Sequence, residues 1–412
     1  MTRHIFLCGA KGVNGYGGYE TFVSRLAQAH ARDPQIRYYI ACKANGSGAM
    51  DAAAFAGMQE LPQEDGAQLY QWQGAVCFRL HVPEIGPAQA IAYDIAAVEY
   101  SIRWCLRHGI RRPVIYLLGC RIGPWARLLR KKLRAVDGIL LINPDGHEWQ
   151  RAKWSLPVRC YWKLSEWLMV RAADRVICDS MEMERYIRQQ YGTEKTEYIA
   201  YGADTDPNAD AAEPPAFAGW LAERGLKPRE YYLVVCRFVP ENSFREILAG
   251  FMASHTRRKL ALITTEDPVY LARLEQELHM SGDPRICFAG TLYERELLRK
   301  VREEAWAYLH GHTVGGTNPS LLESMAATEL SLVRDVPFNR EAGQDAVLYW
   351  KTAEDLTYLI DAVDGMAEKE RAGYSRKARQ RIREAYSWQL IADRYARLWE
   401  NMVPEETEKT HT

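Results

Sequence analysis

The strongest limit on how this chain can fold is a regular alternation of short apolar runs with stretches of helical spacing. His4-Ile5-Phe6-Leu7-Cys8 comes first. Arg37 to Cys42, Ala75 to Leu80, Pro113 to Leu118, Ile139 to Asn143, Arg175 to Asp179 and Thr196 to Ala200 follow as strands. Helical spacing lies between them at Glu20 to Ala27, Ala90 to Arg107, Val158 to Ala173 and Glu182 to Tyr191. In the second of these, Ile91, Ile95, Val98, Ile102 and Leu106 form an apolar stripe suited to core packing. Parallel strands need crossovers long enough to hold a helix, so this alternation predicts a doubly wound parallel sheet. The pattern stops between Asp204 and Pro228, where Pro207, Pro214 and Pro215 sit among alanines and acids, a composition that reads as a linker. It resumes with Tyr231 to Cys236, Leu260 to Thr264, Ile286 to Gly290 and the run Ala305 to Leu309. The expectation is an α/β chain with domains at residues 1–205 and 229–384, a linker at 206–228, a last amphipathic helix at 385–402 and a polar tail at 403–412.

A chain of 412 residues can bury the cores of two or three such domains. Lys+Arg and Asp+Glu are equal at 53 each, which gives no global charge to favour nucleic acid. No apolar run is long enough to span a bilayer, and the apolar start of Met1 to Cys8 is too brief for a secretory segment. Nine scattered cysteines without a C-x-x-C pair fit buried thiols in a reduced cytoplasmic protein better than disulfides or zinc. The stretch Arg121 to Arg134 sets Trp125, Leu128, Leu129 and Leu133 beside Arg127, Arg130, Lys131, Lys132 and Arg134. It reads either as a basic amphipathic segment lying on anionic lipid or as a helix with a solvated basic face.

Chemistry concentrates between Gly311 and Ala326. The Trp306 run leads into Gly315 and Gly316, which leave backbone amides uncovered. Thr317 or Asn318 can cap a helix, Pro319 suits its first position, and Leu321, Leu322, Met325 and Ala326 give it a buried face. Strand, glycine turn and capped helix together form an anion site suited to phosphate, with Ser320 in its first turn and Glu323 placed to accept from ligand hydroxyls. The plainer reading is a glycine-rich loop with a solvated glutamate. A second place is the end of the Ile139 strand, where Asp145, His147 and Glu148 put three proton-transfer groups in four residues. There Glu148 either takes part in the site or starts a helix and pairs with Arg151. Gly9, Gly12, Gly15, Gly17 and Gly18 make another glycine turn after the first strand, but G-x-G-x-x-G is not present.

G-G-T-N-P-S-L-L-E-S-M-A resembles the donor-site signature of family-4 glycosyltransferases of the GT-B fold, closest to a bacterial polysaccharide rhamnosyltransferase-like subgroup. G-Y-G-G-Y-E-T-F and D-G-x-E-W followed by Arg151-Ala152-Lys153-Trp154 resemble the same subgroup. The resemblance implies two facing Rossmann-like domains with an interdomain cleft, the first binding acceptor and the second donor, and a last helix crossing back to the first domain. It implies donor contacts from Gly17, Gly18, Arg237, Tyr293, Gly315, Gly316, Thr317, Asn318, Ser320 and Glu323. Acceptor contacts would come from Tyr19, Glu20, Asp145, His147, Glu148 and Arg151, with Asp145, Glu148, Arg237 and Glu323 catalytic. Tyr293 would stack on the nucleobase or else fill an interdomain gap. Arg237 would neutralise a diphosphate leaving group, or else sit on the surface paired with Glu241.

Two positions depart from the family pattern. Gly315 replaces the first of two glutamates, and Glu241-Asn242-Ser243 stands where a lysine is usual. The reaction implied is retaining transfer of a sugar, rhamnose for this subgroup, from a nucleotide diphosphate to a hydroxyl of a lipid-linked glycan. No cofactor is expected beyond that donor, thymidine-diphosphate-rhamnose (dTDP-rhamnose), and no metal. Asp204-Thr205-Asp206 matches a D-x-D metal motif by spelling only, since it follows the turn Tyr201-Gly202-Ala203 and has no further acidic cluster. Work on a lipid-linked acceptor would place the protein in the cytoplasm, at the inner membrane surface. The departures also allow a catalytically silent GT-B scaffold of an envelope assembly complex, and a dehydrogenase is a third reading.

Overall fold

A computed structural model describes the chain except residues 1, 14, 16, 47, 51–54, 152, 206–213 and 404–412. Its contacts divide it into two compact units. The first holds Met1–Gln150, Trp154–Ala200 and the C-terminal segment from Trp388; the second holds Arg151–Lys153 and Tyr201–Ser387.

The first unit is built on strands β1 (Arg3–Cys8), β2 (Ile36–Lys43), β3 (Gln59–Glu64), β4 (Ala67–Trp72), β5 (Ala75–Leu80), β6 (Val114–Leu118), β7 (Ile139–Asn143), β8 (Arg175–Cys178) and β9 (Thr196–Tyr198). Among the described residues their order is β3-β4-β5-β2-β1-β6-β7-β8-β9. From β5 to β9 neighbouring strands are parallel, and Ile5 of β1 sits in register with Tyr38 on one side and Val114 on the other. β1, β6 and β7 are buried on both faces, which explains their unbroken apolar runs.

The edge β3-β4-β5 is antiparallel, an addition to the parallel sheet expected. Its turns are Asp65-Gly66 and Gln73-Gly74, each with positive φ at both residues, the geometry that joins tight hairpins. Asp-Gly between short runs was a readable hairpin signal that the apolar-run criterion missed, because β3 is largely exposed.

The last helix, Trp388–Met402, belongs to the first unit. Trp399 and Tyr395 are buried; the indole N–H of Trp399 donates to the Tyr38 hydroxyl at 2.9 Å, and the Tyr395 and Tyr116 hydroxyls meet at 3.0 Å. Phe22 packs against Tyr395 with ring centroids 5.3 Å apart. Val403 is buried and its carbonyl accepts from Arg3, so the packed chain runs into the expected tail. The rest of that tail lies outside the described residues.

The second unit carries β10 (Tyr231–Val235), β11 (Lys259–Ile263), β12 (Ile286–Gly290), β13 (Ala307–His310), β14 (Ser331–Arg334) and β15 (Leu348–Trp350) in the order β12-β11-β10-β13-β14-β15, all parallel. This is the doubly wound order in which the first strand is central and the chain reverses direction beside it. The stretch expected as a linker contains a helix, Ala216–Glu223, whose Phe217, Trp220 and Leu221 are buried with Tyr231 and Leu233. Apolar residues at three- and four-residue spacing outweigh the prolines there; Pro214 and Pro215 lie before the helix.

Each sheet therefore has one reversal point, between β1 and β6 in the first unit and between β10 and β13 in the second. Loops leaving the carboxyl ends of such a strand pair form the natural ligand crevice of a doubly wound sheet.

Candidate functional sites at the two reversal points

In the second unit the loops after β10 and β13 carry Arg237 and the stretch Gly311 to Asn318. They are tied together by Glu241, Asn242 and Ser243. Ser243, in a left-handed conformation, donates its hydroxyl to the Gly311 carbonyl at 2.7 Å. Thr313 donates both its amide and its hydroxyl to the Glu241 carbonyl, each at 2.9 Å. The Asn242 side-chain amide donates to the Arg237 carbonyl at 2.7 Å. Gly311 is required by this approach, because a Cβ there would meet the Asn242 carbonyl oxygen at 2.2 Å. The residues standing where a lysine was expected thus fix the glycine-rich loop, and the Arg237 side chain is exposed at the strand end.

The helix Pro319–Ala327 starts with Asn318, whose side chain accepts from the Ser320 amide at 3.0 Å; of the two cap candidates Asn318 is the one used. Leu321, Leu322 and Met325 are fully buried beneath it. The Ser320 hydroxyl donates to the Val235 carbonyl at 2.8 Å and meets the Tyr308 hydroxyl at 2.7 Å. Both polar groups of Ser320 are engaged within the protein, so it anchors the helix to β10. Among the described residues no hydrogen bond engages the amides of Gly315 and Gly316. Gly315 has φ +144°, and the position a Cβ would take is open space. Glycine is needed there for the backbone conformation and not for room. The loop and the helix end together provide the anion-binding arrangement read from the sequence.

Glu323 is partly open to water but is not free. It lies 2.6 Å from Arg302 on the preceding helix, Arg295–Glu303. Tyr293 is exposed on the loop after β12. His310 and His312 stack at 4.4 Å with ring planes 16° apart. Burial pushes the His310 imidazole down to about 3, and burial, the stacked His310, Arg237 and Arg151 hold His312 well below the ordinary histidine range. Both rings are neutral near pH 7. Asp204 of the D-x-D pairs with Arg295, and Asp206 lies outside the described residues. Among the described residues no group of His, Cys, Asp and Glu side chains is arranged to hold a metal ion.

In the first unit the reversal point holds a buried ion pair that the sequence reading missed. Asp94 is fully buried and lies 2.9 Å from Arg121, which also donates to the Leu118 carbonyl at 3.1 Å. A carboxylate in this Ala-Tyr-Asp context reads from sequence as solvated, whereas Asp94 is buried and paired. Its signal was its place on the apolar stripe, three residues after Ile91 and four before Val98. The Arg121 guanidinium lies over the Tyr19 ring at 6.0 Å. The Tyr19 hydroxyl is buried beside the Asp145 carboxylate. Burial and then the Asp145 charge push it well above the usual phenol range. Asp145 itself is left-handed at φ +60°, its amide accepted by Asn143 at 2.8 Å. Tyr19, Asp94, Arg121 and Asp145 therefore meet at the ends of β6 and β7.

The other residues expected here are placed differently. Glu20 accepts from the Lys11 amide at 2.8 Å and so closes the glycine turn before the helix that begins at Gly18, after Gly17. Glu148 accepts from the Trp154 indole at 3.0 Å. His147 packs edge-on against Tyr186 at 4.3 Å. Burial and then Lys163 lower it to about 4, so it is a neutral ring in an aromatic cluster and not a poised base. Arg151 groups with the second unit and not with the first. The nine cysteines are free, and Cys160 is exposed where only buried thiols were expected.

The sequence family described as "Domain of unknown function (DUF1972)" matches residues 2–204. No curated protein matches the chain in sequence. Among solved structures it is similar to a glycosyltransferase from Rickettsia africae ESF-5, at TM-score 0.70 and 11% identity over 98% of this chain and 100% of that one. A sucrose-phosphate synthase from Thermosynechococcus elongatus gives 0.69 and 17% over 97% and 99%. Anabaena Alr3699/HepE, in complex with UDP, gives 0.67 and 13% over 97% and 100%. The chain has the GT-B class of α/β fold, with a Rossmann-like parallel sheet in each unit.

Proposed function

We propose that this protein is a glycosyltransferase that takes a sugar from a nucleotide diphosphate and passes it, with retention, to a hydroxyl of a lipid-linked glycan. The observation that carries the reading is the glycine-rich loop and capped helix at the reversal point of the second sheet, with unengaged amides at Gly315 and Gly316. Diphosphate charge developing as the sugar leaves would be met by those amides, the helix end and the exposed Arg237. Thr317 and Asn318 shape the loop, and Tyr293 supplies an exposed ring for the nucleobase. The similar structures include one holding UDP, which supports a nucleotide ligand. Acceptor binding is assigned to Tyr19 and Asp145 in the first unit, where a buried hydroxyl lies beside a carboxylate.

The donor is assigned as dTDP-rhamnose. Glycine at 315 removes the side-chain acceptors that a glutamate would offer to a fully hydroxylated hexose, each hydrogen bond being worth about 0.5–1.5 kcal/mol. The test is side-by-side turnover of dTDP-rhamnose, uridine-diphosphate-glucose and guanosine-diphosphate-mannose with a lipid-linked acceptor, with and without chelator. Preference for a hexose donor sinks the rhamnose assignment, and restoration by magnesium after chelation sinks the metal-free mechanism. A scaffold reading draws support from Glu323, whose carboxylate is tied to Arg302. It predicts no turnover of any nucleotide sugar with any acceptor.

A further inference from the structure

An apolar stripe lies open on the helix Leu156–Ala172 of the first unit. Leu156, Cys160, Leu164 and Trp167 are exposed, Leu156 at 72% and Leu164 at 50%. Their spacing puts them on one face, while Ser165, Glu166, Met169 and Val170 are buried on the other side. A helix at the surface of a globular unit ordinarily shows water a polar face, so this one is reversed in character.

The helix Gly123–Leu133 packs alongside. Gly123 approaches Ser165 so closely that a Cβ would meet its Cα at 2.4 Å, and Arg130 pairs with Asp174. These helices follow β6 and β7, and right-handed crossovers to β7 and β8 put both on one side of the sheet. Trp125 and Leu128 are exposed there as well, Leu128 at 52%.

The charged side chains that these two helices expose are all basic. Residues 121–134 contain no acidic residue, and residues 156–173 contain Glu166 alone, which is buried. Arg121, Arg130 and Lys132 are paired with Asp94, Asp174 and Glu99. Arg127, Lys131, Arg134 and Arg171 remain exposed, with Arg171 over the Trp167 ring at 5.1 Å. In a chain whose charges balance overall, this face combines exposed leucine and tryptophan with a basic rim. That is the composition of a surface that enters the headgroup boundary of an anionic bilayer.

We infer that this two-helix face docks on anionic lipid. Leu128, Leu156, Leu164 and Trp167 enter the boundary, and Arg127, Lys131 and Arg171 meet lipid phosphates. The inference rests on the first unit alone and stands whether or not sugar transfer is shown.

The test is flotation of the full chain with vesicles of phosphatidylethanolamine and phosphatidylglycerol, against phosphatidylcholine alone. The wild type is expected to float with the anionic vesicles at least about tenfold better, and added salt is expected to weaken this. Leu164→Glu with Trp167→Glu should abolish flotation, and Arg127→Glu with Lys131→Glu should remove its salt-sensitive part. All four side chains are exposed, and unchanged melting curves would establish that the variants fold. A wild type that stays behind, or variants that float like it, overturn the inference. So does light scattering that shows a dimer in the wild type and a monomer in Leu164→Glu with Trp167→Glu, since the face would then cover a second copy of this chain.

Discussion

Arg302 and Glu323 form a half-sheltered ion pair 2.6 Å apart, the guanidinium 5% exposed and the carboxylate 38%. Removing the carboxylate leaves a nearly buried cation without its partner. Glu323→Gln should therefore lower stability by about 2 kcal/mol, toward the low side for a charged contact because the carboxylate is open to water. It should also weaken nucleotide-sugar binding if Arg302 positions Glu323 for ligand hydroxyls. Denaturant unfolding checks the first effect, and donor-induced thermal shift at matched stability checks the second.

Asp94 and Arg121 make the stricter case, since Asp94 is fully buried. Asp94→Asn should cost about 3 kcal/mol or more, because it strands the Arg121 charge beneath Tyr19. Reduced acceptor use with donor binding intact would accompany it if the first reversal point binds acceptor. A variant with wild-type unfolding midpoint would show the pair to be without structural weight.

Gly315 separates backbone strain from crowding. Its φ of +144° is unfavourable to any side chain, while the Cβ position is open. Gly315→Ala should lose about 1–3 kcal/mol, and Gly315→Glu should lose about the same, because the larger side chain meets no obstacle at its base. A glutamate variant far less stable than the alanine variant would mean that room, and not conformation, excludes side chains there.

The histidine pair sets a pH dependence. Burial holds His310 at about 3, below the ordinary value of 6.5 in an unfolded chain. The unfolded state therefore takes up a proton below about pH 6.5 that the native state refuses. Stability from the neutral ring is complete above that pH and is lost as pH falls toward about 3, by up to about 1.4 kcal/mol per pH unit. His312 is shifted in the same direction. Melting temperature between about pH 7 and pH 5 should fall less steeply in His310→Gln than in the wild type. Equal slopes would assign the acid sensitivity elsewhere.

Much of the fold was legible because parallel strands buried on both faces, such as β6 and β10, must be apolar throughout. The β3-β4 hairpin escaped that criterion because half-exposed antiparallel strands mix polar and apolar residues, and only Asp65-Gly66 marked it. At the second reversal point the loop and Asn318 cap were readable, since capping chemistry is local in sequence. The pairings of Glu323 with Arg302 and Asp94 with Arg121 join different elements, and no spacing rule reaches across them. The exposed face of the helix Leu156–Ala172 was hidden for a related reason. A helical stripe shows its period but not which side meets water.

The docking of Trp399 on Tyr38 has a consequence for the order in which the protein is made. The first unit needs the helix Trp388–Met402 to cover Phe22, Tyr38 and Tyr116, yet the whole second unit is translated in between. At ordinary elongation rates that interval is roughly 10–40 s. For that time the nascent first unit presents an aromatic surface meant to be closed, which a chaperone would recognise. A fragment ending near residue 204 would carry the same surface permanently. Adding the last helix back as a separate peptide is the economical way to keep such a fragment in solution.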